Sequence, residues 1–382
     1  MLNVLQLRHQ LHAHPELSGQ EVWTSAFIVE QLRKIGISKI HTDFSQHSIL
    51  AEIDGQNEGK TLLFRCELDA LPIQEANTFE YRSTVNGVSH KCGHDGHSAT
   101  MLAFAQKLMQ HPLPNGSGCA ISKGKVLLFF QSAEETGAGA KAAIESGIFK
   151  QFPIDYAFAY HNLPSFPLGA VLCKAGIFTP SVESFCITFL GKNCHASQPA
   201  NGINPANAIA EFIQFMHTSY QPNKAAEYYF VVTPIHINMG EKAYGMSAGH
   251  AEVGYTIRTW DSRVLELKKD LITQKIEEIC QKEGLSFKIS WFEAFNSNNN
   301  DSTAFEQIKS ATAQNGLTFI EMTQPFDFGE DFGLFTETYK GAMFGIGSGE
   351  NCPALHTVDY DFPDALIEIG SELFMGLIRF CS

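Results

Sequence analysis

The sequence is short of cations. Its 382 residues carry 27 Lys and Arg against 41 Asp and Glu, a formal net charge of -14. That balance excludes an extended nucleic-acid or anionic-membrane surface, which needs clustered basic residues. Long hydrophobic runs are also missing: no stretch reaches the ~18 uninterrupted apolar residues that a membrane helix requires. The start, Met1 to His9, has no basic segment ahead of an apolar run, so neither an export signal nor a membrane span is expected. A disulfide framework is absent as well. The nine cysteines are odd in number, scattered and without repeated spacing, which reads as a reduced, cytoplasmic chain.

What remains is an ordinary globular composition, 44% hydrophobic and 18% charged. The length exceeds that at which single cores stop growing, so two domains are expected. A small-molecule ligand suits this surface better than a polymer.

The densest chemistry lies in His90-Lys91-Cys92-Gly93-His94-Asp95-Gly96-His97. Thiolate and imidazole are ligands that borderline cations such as zinc prefer, but a Cys-x-His pair alone is weak evidence, because a free Cys is more often a small buried hydrophobe. Its neighbours strengthen it. A strand at 61–65 runs into Asp69; an apolar strand at 126–130 delivers Glu134 and Glu135; a strand at 156–160 delivers His161. Polar groups recurring at strand ends are the mark of an α/β enzyme with its site at one edge of a largely parallel sheet. In an extended segment Glu134 and Glu135 would point to opposite sides. A helix is expected from about Ser98 to Met109, with Asp95 and His97 capping its start. The segment 112–124, rich in Pro, Gly and Ser, reads as a loop. His9, His12 and His14 lack obvious carboxylate partners and read as structural, as do His90 and the Glu330–Asp331 pair.

From about Ser181 the order becomes β-α-β-β-α-β, a split βαβ unit. The polar run Asn296 to Asp301 reads as a hinge, after which α/β texture resumes. The expected fold is α/β: a catalytic domain of residues 1–180 and 296–382, with an inserted α+β, ferredoxin-like lid and dimerisation domain of residues 181–295.

Seven segments, in order, carry a resemblance: LRHQLHAHPELSGQE (7–21), LDALPIQE (68–75), HKCGHDGHSATML (90–102), FFQSAEETGAGA (129–140), AYHNLP (159–164), GKNCHASQP (191–199) and FGEDFGLF (328–335). Together they resemble the M20 metallopeptidase family in its amidohydrolase branch, which includes hippurate hydrolases and N-acyl amino acid amidohydrolases. The resemblance implies a metal-dependent exopeptidase-like main domain with a mostly parallel mixed sheet, and two divalent metal ions held by Cys92, His94, Glu135, His161 and His356. It implies Glu134 as general base and Asp69 as the carboxylate orienting a ligand. It further implies that His195 contacts the reacting carbonyl, often across a dimer, and that Arg258 holds the substrate carboxylate. A thiolate favours zinc, while availability can favour manganese, nickel or cobalt.

Two departures from the family pattern stand out. Cys66-Glu67 replaces the usual Ala-Asp ahead of Leu68-Asp69. Ala243 to His250 replaces a segment that usually carries an Asn. The expected function is cleavage of N-acyl amino acids by a cytoplasmic homodimer or higher homo-oligomer. The alternatives are a dipeptidase on the same scaffold and a binder of amino-acid conjugates without turnover.

Overall fold

The computed structural model describes residues 2–110, 121–226 and 228–381. Most of the segment expected as a loop, 112–124, lies outside them, except that Lys123 and Gly124 already belong to a strand. The chain divides into two compact units: Met1–Phe178 with Asn298–Phe326 and Glu330–Ser382, and Thr179–Ser297 with Asp327–Gly329.

In chain order the first unit has helices α1 (Val4–Ala13) and α2 (Val22–Ile35), strands β1 (Ile40–His41), β2 (Ile49–Asp54) and β3 (Asn57–Glu67), and helix α3 (His94–Gln110). Then come β4 (Lys123–Gln131), α4 (Gly139–Glu145), β5 (Ile154–Leu163), β6 (Val171–Cys173) and β7 (Gly176–Thr179). The second unit holds β8 (Ser181–Leu190), β9 (Cys194–His195), α5 (Ala206–Ser219), β10 (Phe230–Met239), β11 (Met246–Ser247), β12 (His250–Thr259), α6 (Ser262–Glu283) and β13 (Ser286–Phe295). The chain then returns through β14 (Asn298–Asn300), α7 (Ser302–Gln314), β15 (Phe319–Glu321), α8 (Gly333–Thr338), β16 (Gly341–Gly347) and α9 (Ala365–Cys381).

The main sheet runs β1-β2-β4-β3-β5-β16-β6-β15. Its middle strands β4, β3, β5 and β16 are mutually parallel. They are apolar on both faces, as strands sandwiched between helical layers must be. On β4, Val126, Leu128 and Phe130 enter the core with α1, α2, α3, α7 and α9, while Leu127 and Phe129 enter the core with α4 and α8. Phe64 of β3 packs edge-on against Phe104 and Phe374, each with ring centroids 4.9 Å away. A side chain so placed contributes about 3–5 kcal/mol relative to Ala.

The second unit is a β10-β12-β8-β13 antiparallel sheet with its own core, including Phe185, Phe212, Ile257 and Ile276. The boundary between the two units falls inside the run expected as a hinge, after Ser297, but part of that run is buried. Asn298 and Asn300 are buried on β14, which pairs with β7. Asn300 donates through Nδ2 to Lys174 O (2.9 Å) and Met343 O (2.8 Å) and accepts from Met343 N (2.8 Å). Its amide supplies hydrogen bonds that the chain needs where it rejoins the sheet.

Candidate metal centre

The middle strands set the site. Because β4, β3, β5 and β16 run parallel and adjacent, the chain leaves them at one edge of the sheet. The 132–137 turn follows β4, Asp69 follows β3, His161 lies near the end of β5, and His356 follows β16. Cys92 and His94 reach the same place from the start of α3. That helix begins at His94, four residues earlier than expected, so Asp95 and His97 lie inside its first turn and are not caps. Gly93, at φ 97°, makes the turn before it, and a side chain there would collide with Asn162 at 2.6 Å.

Asp95 instead accepts hydrogen bonds on Oδ2 from Arg8 Nε (2.8 Å) and His12 Nδ1 (2.8 Å), both on α1. His12 Nε2 lies 3.0 Å from Glu75 Oε1, so this histidine does have carboxylate partners. His97 contacts Glu67 Oε2 through Nδ1 (2.7 Å), and its Nε2 accepts the Asn162 N–H (3.3 Å). Both of its nitrogens are engaged, and it also lies within ligand reach of Glu67 and His94.

The remaining donors converge. Ligand atoms lie within 4.8 Å of one another in three overlapping groups: Cys92, His94 and His161; Cys92, Glu135 and His356; and His94, Glu134 and Glu135. Cys92 Sγ is 3.3 Å from His161 Nε2, and Glu135 Oε1 is 3.7 Å from His356 Nε2. His94 Nε2 is 3.9 Å from a carboxylate oxygen of each of Glu134 and Glu135. These two glutamates do not alternate as in a strand. β4 ends at Gln131, and the turn that follows, with Ala133 at φ 54°, aims both carboxylates at His94.

Asp69 holds this geometry. His94 Nδ1 meets its carbonyl (2.9 Å) and Oδ1 (3.2 Å), while Oδ2 accepts from Ser18 Oγ (2.7 Å) and Glu135 N (2.9 Å). Fixing Nδ1 leaves His94 Nε2 to face the cluster, where it is buried without a hydrogen-bond partner, as is Glu135 Oε1. Such orphaned atoms cost about 1–3 kcal/mol each. A thiolate, imidazole nitrogens and a carboxylate around two of them are the donor chemistry of a borderline divalent cation, so these residues fit a metal.

The electrostatics agree. Burial, with the charges of Glu135 and Glu134, pushes the Cys92 thiol well above its usual range. Burial and the carboxylates of Glu330 and Glu135 push Glu134 well up, and burial takes Glu135 to about 7. For His94, burial opposes protonation, but Asp69 and Glu67 outweigh it and raise the ring to about 10. The metal-free site therefore retains protons that cation binding would displace.

A second buried network, not foreseen from the sequence, lies beside this one. Arg65 on β3 pairs with Glu67, with Glu330 (2.8 Å) and with Asp331 (2.6 Å). Gln131 Nε2 and Ala140 N also donate to Asp331. Glu330 and Asp331 thus form a compensated cluster adjoining Glu134. Glu67, one of the departures from the family pattern, is the member that also holds His97.

His195 and Arg258 belong to the second unit. His195 sits on β9, paired with Met246 of the altered segment, and its Nδ1 is 2.7 Å from Ser197 Oγ. Arg258 on β12 donates to Asp327 O (3.2 Å), and burial lowers its pKa from the ordinary arginine value.

Residues 63–379 match the model of peptidase family M20/M25/M40. The chain is 32% identical over 347 residues to an N-acetyl-L-cysteine deacetylase of Bacillus subtilis, covering 90% of this chain and 80% of that protein. It is 29% identical over 376 residues to the hippurate hydrolase of Campylobacter jejuni, covering 97% and 94%. Among solved structures, the YXEP protein of Bacillus subtilis, described as a dinuclear metal-binding peptidase of the M20 family, superposes with a TM-score of 0.81. It is 28% identical, with 99% of this chain and 97% of that one covered. With its parallel sheet, its gathered donors and a family match that spans most of its length, the chain belongs to peptidase family M20/M25/M40.

Proposed function

We propose that the protein is a metal-dependent amidohydrolase that cleaves the amide bond of N-acyl amino acids, with two divalent cations held by Cys92, His94, Glu135, His161 and His356. The observation that carries this reading is the convergence of those five donors with the buried carboxylate of Glu134. Deacetylases and a hippurate hydrolase among the relatives support the substrate class. When bound, the cations would polarise the substrate carbonyl and lower the pKa of the attacking water toward ~7.

The chain's own groups do the rest. Glu134 takes a proton from the water as its oxygen bonds to the carbonyl carbon, and returns that proton to the nitrogen as the C–N bond breaks. Asp69 keeps the His94 ring turned with Nε2 toward the site. His195 supplies a hydrogen bond to the developing oxyanion, and Arg258 pairs with the substrate carboxylate. The second unit serves as lid and dimerisation surface; its edge strand β10 exposes Ile235 and Ile237, which supports a homodimer. No helix among the described residues is long and apolar enough to cross a membrane. The scattered cysteines, free where described, support a reducing, cytoplasmic setting.

The test is turnover by metal-replete protein on N-acetyl and N-benzoyl amino acids beside dipeptides, with Glu134→Gln as control. The N-acyl substrates should be cleaved, and the variant should lose about 10²–10⁴-fold in kcat while keeping its metal. Preferred cleavage of dipeptides would replace this reading with a dipeptidase; binding without any turnover would replace it with a conjugate-binding protein.

A further inference from the structure

The turn carrying Glu134 and Glu135 is held from outside by side chains of three separate earlier segments. Ser132 N donates to Ser48 Oγ (3.1 Å), Ala133 N to Glu21 Oε1 (2.7 Å), and Glu135 N to Asp69 Oδ2 (2.9 Å). Ser48 and Asp69 flank the neighbouring strands β2 and β3. Glu21 comes from much farther along the chain, at the start of α2.

Glu21 is fully buried, with Oε2 lacking a hydrogen-bond partner and Oε1 held by Ala133 N, so the bond to Ala133 is the compensation its burial has. It does not cap its own helix, since its side chain makes no capping hydrogen bond to α2. That work is done by Glu16, whose two oxygens accept from Trp23 N (3.1 Å) and Thr24 N (2.8 Å). The residue that Glu21 does hold, Ala133, has a left-handed φ of 54°. A side chain in that region costs of order 1 kcal/mol and persists only where the surroundings enforce it. Ala133 immediately precedes the glutamate pair, so its backbone angles set the direction in which both carboxylates leave the sheet.

We propose that Glu21 is a positioning residue for the Glu134–Glu135 pair, acting through its hydrogen bond to Ala133 N to lock the turn in the one conformation that aims both carboxylates at His94. The inference rests on the amidohydrolase reading above for its kinetic consequence and on the turn geometry for its structural one. Burial and the charge of Asp69 raise the Glu21 carboxyl to about 7. An acid and an amide both present an acceptor oxygen, so the role does not require charge, and glutamine should replace it.

The experiment compares Glu21→Gln, Glu21→Ala and Glu21→Asp in the full-length, metal-loaded protein. It reads backbone amide exchange of the peptide spanning 131–137, metal content by elemental analysis, and kcat and KM separately. Glu21→Gln should match the parent in all of these. Glu21→Ala and Glu21→Asp, which lose or shorten the acceptor, should speed exchange in that peptide by about tenfold while the strands keep their protection. Their kcat should fall by about 10²-fold, the scale of a misplaced catalytic group, and bound metal should fall with it, because Glu135 leaves on the same turn, while KM is held. The proposal is overturned if Glu21→Ala leaves that peptide protected. It is also overturned if exchange rises equally across the whole chain, which marks general destabilisation, or if Glu21→Gln falls as far as Glu21→Ala. If the parent cleaves no amide, the functional reading fails, while the exchange comparison still decides the role of Glu21.

Discussion

Arg65 offers the most demanding test of the electrostatic reasoning. One guanidinium, fully buried, serves Glu67, Glu330 and Asp331. At the separations to Glu330 and Asp331, an effective dielectric of ~20 gives each pair an attraction of roughly 6 kcal/mol. Desolvating the ions offsets several kcal/mol apiece, so the attraction is not net stability. Removing the cation alone is a different matter, because it leaves the carboxylates buried and uncompensated, at a cost of about 3–5 kcal/mol. Arg65→Met, similar in volume, should therefore lower Tm by about 10 °C in a unit of this size. Arg65→Lys should fall between, since it keeps the charge and loses the fork.

Acidity sets a second condition. Burial by itself would raise the Glu67 carboxyl, but Arg65 and His97 hold it well below 4.5. A depressed carboxylate contributes stability above its unfolded pKa that is lost as pH falls toward the folded one. Without Arg65 that contribution disappears. The share of the gap that Glu67 carries should be present near pH 7 and narrow below pH ~5, while that of Asp331, whose carboxyl burial raises to about 7, grows only above that pH. Urea titrations at both pH values measure it. A destabilisation under ~1 kcal/mol at pH 7, or a gap that widens in acid, would refute the account.

Cys92→Ala should reduce bound metal by more than the ~10–100-fold affinity loss typical of a supporting contact, and unchanged occupancy by elemental analysis would remove Cys92 from the ligand set. Chelating the metal from the parent should lower its stability by about 2.7 kcal/mol relative to protein at a free metal concentration of ~100 Kd; identical melting with and without chelator would count against a folded-state metal site. Gly96→Ala would place a Cβ 2.3 Å from the Phe362 ring. It should cost about 1–3 kcal/mol by overpacking. A variant as stable as the parent would show that Phe362 can yield.

Much of this architecture is legible in the sequence, because its signals are local. Continuous apolar runs announced the central strands, and chemistry-bearing residues just beyond them announced the sheet edge. The second unit's β-α-β-β-α-β succession of elements follows from alternation and turn residues. What escaped is non-local. Arg8 and His12 carry nothing in their own residue type that signals burial, yet both are buried because Asp95 and Glu75 meet them from distant segments. Arg65, Glu67 and Asp331 escape for the same reason: a charged residue looks solvent-bound until its partner, here 266 residues away, is known. The apolar run of β4 leads straight into the glutamate pair, so the sequence suggests an extended pair where the structure has a turn. The positive φ at Ala133 has no sequence signal, since alanine is not a residue that turns usually recruit. The asparagine run resembles a loop by composition, while its amides satisfy buried backbone groups.

The position of β16 also bears on how the chain is made. It lies between β5 and β6, yet it is synthesised after both of them and after the whole second unit. At roughly 5–20 residues per second, a ribosome takes on the order of ten seconds or more to deliver it. Throughout that interval the inner edge of β5, with His161 on it, is an open row of backbone donors and acceptors. The intervening unit is contiguous apart from a short return segment and has its own core, so it can fold while the main sheet waits. On the ligand set proposed above, closing the gap and bringing His356 to the other donors would be the same event, so a nascent chain would not complete that set before its principal sheet.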